Sequence, residues 1–413
     1  MIREEKKYYK WVVVALLCGV AFLNYMDRQM LTTMRPAMQV DIEELQSATN
    51  FGYLMGIFLW VYGFVSPVAG IAADRFSRKW LIIISLFVWS TVTFAMGYAT
   101  TFEEVYWLRA FMGISEAVYI PTGLSLIADF HQEKTRSLAI GIHMIGIYLG
   151  QASGGFGAVI AEAFSWHGAF HFFGMAGIVY SFVLLLFLKD KRPASPETAI
   201  KKPAHEKTPT LKVLALLLTN ISFWIILFYF AVPSLPGWAV KNWLPTLFAE
   251  NLKIPMSEAG PISTFAIAFS SFIGVIIGGI LSDKWVQKNL RGRIFTSAIG
   301  LGLTIPSLFL IGFGHTLFHV VSAAICFGIG WGMYDANNMP ILCQFVPARR
   351  RATAYGIMNM TGVFSGAFIT GLLGRSSDAG HLGRDLGLLA VIVLVAVVIQ
   401  LVFLKPTAND FSD

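Results

Sequence analysis

Gly70-Ile71-Ala72-Ala73-Asp74-Arg75 closes one long apolar run, and Gly279-Ile280-Leu281-Ser282-Asp283-Lys284 closes another in the second half of the chain. Each sets a glycine four residues before an acid, with a base directly after it. The coincidence extends outward from both copies. Gly113, Glu116 and Pro121 recur as Gly332, Asp335 and Pro340 at identical spacing, and Arg136 and Gly141 recur as Arg351 and Gly356. The order is the same both times, so the chain reads as one unit written twice.

That unit is a set of membrane helices. Of the 413 residues, 56% are hydrophobic and 13% charged, whereas soluble domains carry about 25% charged residues. A span needs about 20 apolar residues. On that criterion twelve segments are expected, near 11–34, 48–72, 80–99, 104–129, 136–161, 168–188, 214–247, 258–282, 293–313, 317–344, 352–374 and 385–404. The fold class is therefore an all-α membrane protein of twelve transmembrane helices in two pseudo-symmetric six-helix bundles. The expected division is a bundle over 1–188, a Pro-, Lys- and Glu-rich linker over 189–212, and a second bundle over 213–413. The seventh segment holds Pro233, Pro236, Gly237 and Pro245 and is expected to be kinked or broken.

Charge sets the orientation and excludes several functions. Only Arg35, Lys253, Arg375 and Arg384 fall in the loops opposite the N-terminus, and Arg28, Arg109 and Lys241 fall within apolar segments. The other lysines and arginines share the side of both termini, which is then cytoplasmic. The net charge of +7 is thus a record of topology, and no nucleic-acid partner is needed to explain it. The first apolar stretch has no cleavage site after it and reads as a membrane helix. Cys18, Cys326 and Cys343 have neither pairing nor metal-ligand spacing. No nucleotide loop, paired metal ligands or nucleophile motif occurs, so an enzyme is not expected, nor a metal or cofactor.

Four charges lie where hydrocarbon makes them costly: Asp27 and Arg28 in the first segment, Arg109 and Glu116 in the fourth. Such residues usually face a bundle interior or a water-filled path. A carboxylate can carry a proton, and a guanidinium can hold a carboxylate through its planar fork. Arg109 and Glu116 are seven residues apart and share a helix face, whereas Asp27 and Arg28 point about 100° apart. One arrangement sends Arg28 to a central cavity and Asp27 toward Arg109. Tyr25, Tyr148 and Gln151 are candidate hydroxyl-binding residues. Asp335, Asn337 and Asn338 cluster on the tenth segment, where they either line the cavity from the second half or brace a gate. His143 reads as a hydrogen-bonded interior histidine, and Lys241 and Asn242 could close over a substrate from outside.

The loop Gly70-x3-Asp74-Arg75-x2-Arg78-Lys79, with its partner at Gly279–Lys284, resembles the signature loop of the major facilitator superfamily; Ser77 stands where a second glycine is usual. There the small residue lets two helices approach, and Gly70, Asp74, Arg75, Arg78, Asp283 and Lys284 become gating candidates. Asn24-Tyr25-x-Asp27-Arg28, Arg109-x6-Glu116-Ala117-x3-Pro121 and Trp243-Leu-Pro-Thr246 resemble its anion:cation symporter branch, which includes sialin and bacterial sugar-acid carriers. The first motif is also similar to spinster-type lysolipid carriers. The resemblance implies proton coupling at Asp27 and Glu116, and substrate charge handled by Arg28 and Arg109. It implies a monomeric carrier of the bacterial inner membrane that imports a hexuronate, aldonate or sialic acid with protons by alternating access between parallel repeats. A lysolipid or other amphipathic anion is the alternative cargo.

Overall fold

In the computed structural model, residues 2–131, 133–190, 218–219, 221–346 and 351–406 are described, apart from the side chains of 2–7, 74, 75, 133, 134, 137, 222 and 352. The linker expected over 189–212 lies outside them beyond Asp190, as do the side chains of Asp74 and Arg75. Helices account for nearly all of the described chain. The first half comprises α1 (Ile2–Asp41), α2 (Ala48–Arg75), α3 (Arg78–Met96), α4 (Phe102–Glu116), α5 (Tyr119–Phe130), α6 (Glu133–Gly154), α7 (Gly157–Ala163) and α8 (Trp166–Phe187). The second comprises α9 (Ile221–Leu252), α10 (Met256–Val286), α11 (Gly292–Phe313), α12 (Leu317–Asp335), α13 (Asn338–Phe345), α14 (Arg351–Asp378) and α15 (Leu382–Phe403). Among the described residues, eleven stretches are long and apolar enough to cross a membrane, and counting the α6–α7 pair, bent by 45°, as one span gives twelve.

Two expected single helices are interrupted, and at matched places. The fourth span breaks after Glu116 and the tenth after Asp335, leaving Ala117–Val118 and Ala336–Asn337 between the pieces. Pro121 and Pro340 explain both breaks: each lacks the N–H that would bond the carbonyl of Ala117 or Ala336 four residues back. The acid of each repeat therefore ends a helix in the middle of its span.

The seventh span is not broken at its prolines. Here α9 runs unbroken through Pro233, Pro236 and Pro245. Pro233 frees the carbonyl of Tyr229, and the Tyr334 hydroxyl donates to it at 3.4 Å. Pro245 frees the carbonyl of Lys241, and the Gln29 amide donates to it at 2.9 Å. Neighbouring helices supply the missing donors, which is how membrane helices tolerate proline.

Glycines let helices close in. On α6, Gly146, Gly150 and Gly154 form a stripe four residues apart, and a Cβ at any of them would strike α1 at Cys18, Phe22 or Gln29. Between the halves the contacts gather at the end away from the termini. Gly52 faces the Thr370 carbonyl, Gly374 faces Ala48, and Gly155 faces Thr264 and Gly260. The Thr264 hydroxyl donates to the Ala152 carbonyl at 3.0 Å, and Phe51 meets Trp243 edge to face at 6.2 Å. At the other end the repeat's matched glycines, Gly70, Gly141, Gly279 and Gly356, all look into open space. The close approach expected at Gly70 is thus absent here, because the halves are splayed at the end that bears the termini and closed at the opposite end.

Candidate functional site

The four intramembrane charges meet between α1, α2, α3 and α4. Arg28 Nε donates to Glu116 Oε2 at 2.6 Å, and the Glu116 side chain is fully buried. The guanidinium is also caged by rings. Its centre lies 4.9 Å from Tyr25 and 4.8 Å from both Phe58 and Tyr62. Rings around a desolvated guanidinium stabilise it through their negative faces. One valence stays open, since Arg28 Nη2 is buried with no acceptor, as is Glu116 Oε1 with no donor. Asn24, fully buried on α1, abuts the same carboxylate.

Asp27 points elsewhere. Its Oδ2 accepts from the Thr93 hydroxyl of α3 at 3.2 Å, and its Oδ1 has no donor. Arg109 lies over the Phe58 ring at 4.6 Å and donates to the Met112 sulfur at 2.9 Å. The two do not come within ion-pair distance, which corrects the arrangement that turned Asp27 toward Arg109. Arg28 likewise turns to Glu116 and the α2 rings instead of standing free in a cavity. The rotation of α1 decides both: placing Arg28 between α2 and α4 leaves Asp27, about 100° away, facing α3.

The remaining candidates divide by location. Gln151 of α6 shares a narrow cleft with Gln29, Lys241 of α9, and Ser263 and Thr264 of α10. Tyr148, one turn before Gln151, is half-buried with its ring edge-on to Phe272 of the other half at 5.8 Å. Asn337 and Asn338 are buried inside the second half. Asn337 bonds the Met333 carbonyl at 2.8 Å, and Asn338 joins Asp335 at 3.2 Å and the Tyr229 hydroxyl at 3.3 Å. They tie the break in the tenth span to α9 instead of lining the cleft. Asp335 itself is exposed. His143 is fully buried and bonded to the Tyr119 hydroxyl at 2.8 Å.

Of the gating candidates, Arg78 pairs with Asp129 of α5, and Asp283 with Arg293 of α11 at 3.3 Å. Both pairs stay within one half. Lys284 is exposed. Sequence reasoning missed the cage residues Phe58 and Tyr62 and the Thr93 partner; an aromatic or a threonine in an apolar helix carries no signal of its own.

The described residues thus hold a buried cluster of two acids and two bases at the heart of one half, beside a cleft shared by both. Comparison with known proteins agrees with this architecture. The chain is 27% identical over 399 residues to a hexuronate transporter of Bacillus subtilis (strain 168), covering 87% of this chain and 90% of that one. It is 23% identical over 416 residues to a D-galactonate transporter of Escherichia coli O6:H1, covering 94% and 93%. A crystal structure of a bacterial homologue of the human lysosomal transporter spinster, in an inward-facing, unoccupied conformation, superposes with a TM-score of 0.80 at 18% identity, over 98% of this chain and 99% of that one. The family model of the Major Facilitator Superfamily matches residues 17–371. The chain, a multi-pass membrane transporter, belongs to the major facilitator superfamily.

Proposed function

We propose that this transporter is a proton-coupled symporter of a small organic anion, a sugar acid such as a hexuronate, aldonate or sialic acid. The observation that carries the reading is the Arg28–Glu116 pair with its unfilled guanidinium valence. Removing one partner of a buried pair costs about 3–5 kcal/mol, because the other charge is left uncompensated. Protonation of Glu116 does this to Arg28, and a substrate carboxylate restores the balance. Proton and anion are then favoured together and neither alone, which is the requirement for symport. Asp27, with a single hydroxyl donor, is the second proton site, and Arg109 is its distant counter-charge. Tyr25, Tyr148 and Gln151 supply hydroxyl contacts. The relatives named for hexuronate and D-galactonate support a sugar acid as cargo.

The cycle that follows is alternating access. The two halves, divided within 189–212, rock about the cluster, with both termini cytoplasmic in a bacterial inner membrane and one chain forming the working unit. The structure is open toward the termini, so it corresponds to the state that releases cargo inward. Arg78–Asp129 and Asp283–Arg293 bind neighbouring helices so that each half moves as a body, and the Gly70, Asp74, Arg75 and Lys284 positions close the inner end in the opposite state.

The test is uptake into proteoliposomes with an acidic exterior and an alkaline lumen, using D-glucuronate, D-galactonate, sialate and a lysophospholipid. Accumulation of a sugar acid that collapses with a protonophore is expected. Uptake of the lysolipid alone, or of none of the four, overturns the reading.

A further inference from the structure

The seam where the halves meet carries a groove that the transport reading does not use. It lies between α2 and α14, has a volume of about 250 Å³, and exceeds the ~150 Å³ apolar cavity that takes up benzene. Gly52, Gly56 and Trp60 lie along one wall, and Ala367, Gly371 and Arg375 along the other. Each set is spaced four residues apart, so each is a single helix stripe running about 12 Å along the membrane normal. The helices are antiparallel. Gly52 stands level with Gly371 and Gly56 with Ala367, while Trp60 lies deeper beside Phe364 and Arg375 sits a turn nearer the rim.

The groove is polar at one end only. At the rim, Arg375 donates to the Tyr53 hydroxyl at 2.5 Å and 3.2 Å. No carboxylate lies within 4 Å of its guanidinium among the described residues. Asp378, one turn on, is engaged by Ser47, Ala48 and Thr49. Below the rim the walls are glycine, alanine and apolar side chains, and the adjoining Phe368 and Leu372 are exposed on the flank that faces lipid. A cation at the water interface above an apolar slot matches one occupant in charge, polarity and orientation: a phospholipid with its anionic headgroup at Arg375 and an acyl chain directed toward Trp60.

We propose that this groove is a binding site for an anionic phospholipid of the leaflet opposite the termini. Both halves build its walls, so the lipid bridges them and favours the state closed at that end.

The full-length protein is purified into mixed phosphatidylcholine and phosphatidylglycerol, and retained lipid is measured by native mass spectrometry. The wild type is expected to retain one phosphatidylglycerol in preference to phosphatidylcholine. Arg375→Gln should lower that preference about fivefold, the scale of one basic residue near an anionic surface. Gly371→Leu tests the slot itself. A Cβ there meets the Tyr53 ring at an ordinary 3.6 Å, so the helices can stay in place while the longer side chain fills the groove, and the retained lipid should be lost. Glycerol phosphate added in excess should not displace it. Equal retention of the two lipids by the wild type, an unchanged preference in Arg375→Gln, or retained lipid in a monodisperse Gly371→Leu protein would overturn the proposal. Displacement by glycerol phosphate would do so too, by revealing a simple anion site.

Discussion

Asp378 joins the two halves in an unusual way: it caps a helix of the other half. Its carboxylate accepts from the Ser47 hydroxyl at 2.8 Å and from the backbone N–H of Ala48 and Thr49 at 2.6 and 2.9 Å. Those N–H groups open α2 and have no partner within their own helix. A side-chain cap is worth about 0.5–2 kcal/mol, and a carboxylate at the positive end of a helix adds about 0.3–1 kcal/mol. Much of Asp378 is exposed, so about 1–2 kcal/mol in all is a fair sum after solvent screening. The interaction exists only while α14 touches the start of α2, so Asp378→Ala should weaken closure at this end by that amount, about 5- to 30-fold in the equilibrium. Spin labels at Phe164 and Phe318, both highly exposed near that end in opposite halves, would report the change in a background lacking Cys18, Cys326 and Cys343. The distance distribution should shift toward longer separations, with Asp378→Asn intermediate. The capping argument fails if Asp378→Ala keeps the wild-type distribution. It fails equally if Arg384→Gln, which removes a surface ion pair at 2.8 Å within one half, shifts the distribution as much.

Three further outcomes follow from the cluster and its packing. Glu116→Gln, a permanent mimic of the protonated acid, should abolish gradient-driven accumulation while counterflow persists; full accumulation removes Glu116 from coupling. Arg28→Lys should weaken sugar-acid binding about tenfold or more, read by titration calorimetry, because an ammonium can neither span the fork nor fit among three rings. Gly332→Ala should lower the thermal unfolding temperature in detergent, since its Cβ would meet the Ser271 carbonyl and backbone cannot yield cheaply, an overpacking cost of about 1–3 kcal/mol. An unchanged midpoint would mean that α10 and α12 are more pliable than their separation implies.

The spans, the repeat and the misplaced charges were legible because each is local: apolar length, spacing and residue type are all written along the chain. Partnership was not. That Arg28 takes Glu116 while Asp27 takes Thr93 depends on how α1 is rotated against α2, α3 and α4, and no spacing within α1 fixes that angle. The prolines show both sides of the limit. Pro121 and Pro340 interrupt their spans, but three prolines leave α9 intact, and Gln29 and Tyr334 reach two of the three freed carbonyls from helices far away in sequence. Asn337 and Asn338 carry polar groups that spacing alone cannot assign to a partner; Met333, Asp335 and Tyr229 engage them inside the second half, and only the fold could choose between a cavity and a brace.

Gly70, Gly141, Gly279 and Gly356 stand on helices with nothing in front of them. An alanine at any of these would meet no obstacle and would gain about 0.4–1 kcal/mol from the greater stiffness of the unfolded chain. A search for heat-resistant variants of the purified protein would therefore favour these four substitutions. If the inner end shuts by bringing helices against these positions, the same methyl groups would obstruct the return stroke. Selection for robustness and selection for turnover would then pull in opposite directions at these glycines, and a variant ideal for crystallisation would be a poor carrier.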